Sequence, residues 1–126
     1  MNKTSKFAFE IAQDIYALGG DIDKLNEEYD NHHISQQVYF KNLYIHACEA
    51  TFLDYVVNVM KNQGYKFARY EKELLLLQSI LNDINSTLNL EDINSLNKLD
   101  MQRLVQFTKK YKDYVSGDDF QDDLMV

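Results

Sequence analysis

His46 and Glu49 stand three residues apart in QQVYFKNLYIHACEATFLDYVVNVMKN, the stretch from Gln36 to Asn62, and Asn42 precedes His46 by four. On a helix such spacings bring side chains within reach of one another. An imidazole and a carboxylate side by side are two potential metal ligands, but zinc or iron needs further donors. Folding the chain back at Gly64 brings only Ser79, Asn82 and Asp83 to the same level, and these point off the apolar seam. The competing reading is a hydrogen-bonded polar layer that fixes how helices align. The sequence favours that reading and assigns Asn42, His46 and Glu49 a structural part, with no metal and no cofactor.

Other chemistries fare less well. Cys48 and His46 lie about 200° apart on a helix, so they form no thiol–imidazole dyad. His32 and His33 sit in a polar turn with no second ligand pair nearby. The carboxylate pairs Asp21/Asp23 and Glu71/Glu73 have polar neighbours and read as solvated faces. Glycine-rich phosphate loops, nucleophile elbows and metalloprotease motifs are absent from the sequence. The expectation is a protein that is not an enzyme.

Two features suit recognition instead. Phe40, Tyr44 and Tyr55 share one side of the Gln36–Asn62 stretch, where they either support the N-terminal helices or form an aromatic patch of the kind enriched at interfaces. The C-terminal SGDDFQDDLMV combines Asp118, Asp119, Asp122 and Asp123 with Phe120 and Leu124, a composition expected to stay disordered until bound. Over this stretch alone, and without their Pro-Phe terminus, it resembles the acidic tails through which bacterial single-stranded-DNA-binding proteins recruit partners. Just before it, Lys109, Lys110 and Lys112 interleave with Tyr111 and Tyr114. Cations near a helix C-terminus are favoured by the helix dipole, and a nucleic-acid contact is the alternative reading.

These residues need helices to hold them. With no proline and four glycines, strong helix breakers are scarce and the class is all-α. Thr4 or Ser5 can cap a first helix with the apolar face Phe7, Ile11, Ile15 and Leu18, which Gly19 and Gly20 would end. Asp21 would then cap a short acidic lid helix carrying Ile22, Leu25 and Tyr29. Ser35 caps the central helix, about 36–62, with Ile34 and Tyr39 placed as a hydrophobic staple. That rod, roughly 40 Å long at 1.5 Å per residue, is apolar on two sides and belongs inside. Gly64 ends it. Phe67, Tyr70, Leu74, Leu77, Leu81, Ile84 and Leu88 then alternate three and four apart, giving a second long helix over about 66–88 packed antiparallel on the first. One unbroken helix over 36–88 is the competing reading, and it would expose both seams unless a homodimer covered them. After a short turn over 89–97, Asn97 caps a last helix with the row Leu104, Phe107, Tyr111 and Tyr114. The sum is a compact bundle of about five helices, one domain over 1–115, with an acidic tail over 116–126.

The 126 residues can bury a core without staples, and a single cysteine fits a reducing, cytoplasmic setting. No stretch approaches the roughly 20 uncharged apolar residues of a membrane span, so no membrane partner is expected. The formal charge of −7 disfavours nucleic acid and favours a basic protein. The expected function is an acidic, non-enzymatic helical interaction module such as an inhibitor, immunity protein or regulatory adaptor. Two alternatives are a helical DNA-binding regulator using the basic last helix and a metal-binding helical-bundle enzyme.

Overall fold

The computed structural model describes residues 2–88 and 96–112. They form four α-helices and no strand: α1 Lys3–Asp30, α2 Gln36–Asn62, α3 Glu71–Thr87 and α4 Lys98–Lys109. The all-α class holds, and α2 is the central element with the expected bounds. It is buried on two sides, through Ile45 and Val56 on one and Leu43, Ala50, Val57 and Met60 on the other.

The ends of α2 follow from local chemistry. Ser35 Oγ accepts the Val38 amide at 3.2 Å, satisfying a donor that the first turn leaves open. Ile34 and Tyr39 both join the core. At the other end Gly64 adopts φ +96, with the Gly64 amide on the Lys61 carbonyl and the Tyr65 amide on the Met60 carbonyl. That is a Schellman stop. The chain therefore turns back at Gly64, and the seams that an unbroken rod would have exposed pack within the chain.

The helix count is four among the described residues, not five, because α1 runs through Gly19 and Gly20 to Asp30. Its apolar stripe continues across the glycines as Ile11, Ile15, Leu18, Ile22, Leu25 and Tyr29, spaced four, three, four, three and four. Two mid-helix glycines cost about 2 kcal/mol together. Burying Leu25 with half of Ile22 and Tyr29 offsets that, at about 1.5–3 kcal/mol for a full Leu side chain. The stretch 22–29 is thus a wall of the core rather than a lid. The N-cap also differs: Asn2, not Thr4 or Ser5, accepts the Ser5 amide at 2.8 Å, and Thr4 is buried.

The second long helix starts later than expected. Tyr65 and Lys66 lie outside any helix, Ala68–Tyr70 makes a single 3-10 turn, and α3 begins at Glu71. Leu77, Ile80 and Ile84 are its buried residues, while Leu74 and Leu81 are half-buried. The buried arc is turned away from the expected heptad row because α3 packs on α1 as well as α2. Gly19 marks that approach, where an added Cβ would lie 3.4 Å from Leu76 Cδ2.

Asn97 and Asp100 form a reciprocal capping box at the start of α4. From there α4 runs alongside α2: Lys41 pairs with Asp100 at 3.3 Å, and the Phe107 ring meets Phe52 edge-on at 6.4 Å. Leu104 and Phe107 are half-buried, and Tyr111, just past the helix, is fully buried. Tyr114, most of the turn expected over 89–97, the last few residues of the expected 1–115 domain and the whole 116–126 tail lie outside the described residues. No helix among those described is long and apolar enough to cross a membrane.

Candidate functional site

His46 and Glu49 meet as their spacing implied. His46 Nδ1 lies 2.8 Å from Glu49 Oε1, and both residues are buried. A carboxylate oxygen accepts, so the imidazole Nδ1–H is the donor wherever this pair is hydrogen-bonded to a carboxylate. Arg103 of α4 stands 3.9 Å from the same Glu49 oxygen. The group therefore ties α2 to α4, as a polar layer that sets helix alignment would. Asn42 does not join it: its Nδ2 donates back to the Val38 carbonyl at 2.8 Å. His46, Asn42 and Arg103 line a polar cleft of about 310 Å³ together with Asp21, Lys24 and Glu28. Charges of both signs face each other there. Among the described residues no three His, Cys, Asp or Glu side chains converge as a metal site.

Phe40, Tyr44 and Tyr55 do share an outward side of α2, but unequally. Phe40 packs on the core and meets the Tyr39 ring at 5.2 Å. Tyr44 is half-buried beside Cys48, whose proximity raises the phenol above its ordinary range, while burial raises the Cys48 thiol. Only Tyr55 is largely open, at 51 % exposure. Asp118, Asp119, Phe120, Asp122, Asp123 and Leu124 lie outside the described residues.

The basic cluster is partly engaged. Lys110 Nζ pairs with Asp14 at 3.1 Å, and the Tyr111 hydroxyl donates to the same carboxylate. Lys109 and Lys112 are exposed.

A further surface was not singled out from the sequence. Along the outer junction of α1 and α3 run two adjoining clefts, of about 360 and 420 Å³, which share Tyr16. Phe9 and Tyr70 lie in one; Gly20, Leu76 and Ile80 lie in the other. Tyr16 is 74 % exposed and Phe9 43 %. Three carboxylates line the pair, Asp23, Glu73 and Asp83, with no lysine or arginine among the described lining residues. The signal for it was present: Phe9 and Tyr16 fall off the Phe7, Ile11, Ile15, Leu18 face, so aromatic rings decorate the polar side of an amphipathic helix.

Fold and surfaces together define an acidic helical bundle that presents open aromatic side chains. No family model, curated protein or solved structure matches this chain.

Proposed function

We propose that this chain is a non-enzymatic acidic interaction module that binds a partner protein through that partner's basic surface, in the manner of an inhibitor, immunity protein or regulatory adaptor. The observation that carries the reading is Tyr16, a large ring standing open between two clefts lined by carboxylates. Open aromatic side chains are the residue type that anchors interfaces, and acidic surroundings select and steer a basic partner. The net charge of −7, to which the four aspartates of the 116–126 stretch contribute −4, extends that attraction over the whole molecule. The buried His46–Glu49 pair needs no further role, because its link to Arg103 gives it a part in holding α4 on α2.

Affinity capture on the immobilised full chain, from lysate of its native cell at low and high ionic strength, tests the reading. The expected result is a discrete basic protein, released by salt and not retained by an unrelated acidic protein of equal charge. Recovery of the same proteins on both columns would overturn it.

A further inference from the structure

We infer that the α1–α3 groove is the seat for one amphipathic helix of the partner, apolar along the face that enters and bearing lysine or arginine on its flanks. This deepens the proposed function and rests on it. The groove runs from Phe9 to Asn26 along α1, about 26 Å at 1.5 Å per residue, which matches a helix of about 17 residues. Its floor is apolar through Leu76 and Ile80, and Tyr16 stands at its middle.

The occupant's shape follows from backbone chemistry. No strand edge exists among the described residues, so an extended peptide laid there would gain no backbone ladder from this chain. A helix satisfies its own backbone and offers side chains at i, i+3, i+4 and i+7 to such a groove.

The occupant's charge follows from the lining. Asp23, Glu73 and Asp83 favour cations at the rim. The chain's own C-terminal stretch, with four aspartates between 118 and 123, would be repelled. A second copy related by a two-fold axis would set these carboxylates against their equivalents.

Gly20 supplies an independent pointer. A Cβ at Gly19 would rest against the Leu76 side chain, whereas a Cβ at Gly20 would meet nothing within 4 Å. A mid-helix glycine weakens its helix, and nothing among the described residues requires one at 20. It lines the cleft beside Tyr16, where a missing side chain lets a second helix come close.

The test uses the full chain and a fluorescein-labelled 18-residue peptide of leucine and lysine, with leucines at i, i+3, i+4 and i+7, read by fluorescence anisotropy. Tyr16→Ala is expected to weaken binding about tenfold or more. Gly20→Gln is expected to weaken it comparably while raising the melting temperature, so lost binding cannot reflect lost folding. Tyr55→Ala should bind as the parent does, and a leucine–glutamate peptide should not bind. Equal affinity for the parent and both groove variants would overturn the inference. So would loss on Tyr55→Ala alone, which moves recognition to α2 and leaves the interaction-module reading standing. If neither the lysine peptide nor any basic protein binds the parent chain, both readings fall.

Discussion

Tyr111 and Asp14, 97 positions apart, are joined by a hydrogen bond from a fully buried phenol to a carboxylate that also holds Lys110. This contact fastens the end of α4 to α1, and α4 needs it, since none of α4's own residues is fully buried. Tyr111→Phe keeps the ring and its edge contacts with Phe7 and Phe107 and removes only the donor. It should cost about 1.5–3 kcal/mol, the range for a hydrogen bond to a charged group. Chemical denaturation compares the two chains, and an unchanged midpoint would show that the phenol contributes only packing.

The same pair sets an alkaline limit. Burial first, then the Asp14 hydrogen bond and charge, push the Tyr111 phenol far above its ordinary value of about 10. The folded state therefore holds this proton after the unfolded state has released it. The stabilisation is fully present below about pH 10 and is lost as pH rises above that. Between about pH 9 and 11 the parent should lose stability more steeply than Tyr111→Phe, approaching about 1.4 kcal/mol per pH unit at the upper end. Parallel pH curves for the two would contradict the assignment.

A buried hydrogen-bonded pair behaves asymmetrically when cut. Glu49→Leu leaves His46 Nδ1 without its acceptor, and His46→Leu strands the carboxylate, so each should cost about 1–3 kcal/mol. The double replacement removes both polar groups and should cost clearly less than the sum. Full additivity would mean that the two side chains act independently, and the polar-layer reading would fail.

His32 terminates α1 at φ +60, where its amide bonds the Tyr29 carbonyl and the His33 amide bonds the Glu28 carbonyl. This is the arrangement Gly64 makes after α2, built with a residue whose Cβ is disfavoured in that region. His32→Gly should raise stability by about 1 kcal/mol. A fall in melting temperature would imply that the exposed imidazole makes a contact of its own.

These two helix ends show what could be read in advance. Gly64 announced its stop because glycine is the residue that the left-handed position prefers; a histidine in that position carries no such mark. The Gly19–Gly20 pair misled in the opposite sense: punctuation is local, whereas the stripe from Ile11 to Tyr29 is set by what the helix buries. The His46–Glu49 pair was legible because an i, i+3 spacing is a local fact. Its link to Arg103 and the Tyr111–Asp14 tie were not, since both depend on which side of α1 and α2 receives α4. The α1–α3 groove was hidden for the same reason, although Phe9 and Tyr16 were visibly out of register.

The hairpin of α2 and α3 makes a sharp contrast between neighbours on one helix. Leu77 is 1 % exposed, and truncating it to alanine should cost about 2–5 kcal/mol through lost transfer energy and the cavity left behind. Lys72, exposed in the first turn of α3, should change stability by less than about 0.5 kcal/mol on replacement by alanine. Equal melting temperatures for the two variants would refute the packing of α3.

Recognition and attraction should separate when the C-terminal charges are removed without shortening the chain. Changing Asp118, Asp119, Asp122 and Asp123 to asparagine lowers the net charge from −7 to −3 and leaves Tyr16, Gly20 and the groove carboxylates in place. Long-range charge acts mainly on the rate of encounter and is screened by salt, whereas a desolvated ring in a cleft acts on the lifetime of the complex. The four-fold variant should therefore associate more slowly with a basic partner, with a shallower salt dependence and a nearly unchanged dissociation rate. Tyr16→Ala should do the reverse, speeding dissociation while keeping the parent's salt dependence of association. Surface-captured kinetics at several ionic strengths distinguish the two. If the asparagine variant instead dissociates faster, residues 118–123 contact the partner directly, and electrostatic steering is the wrong description of their part.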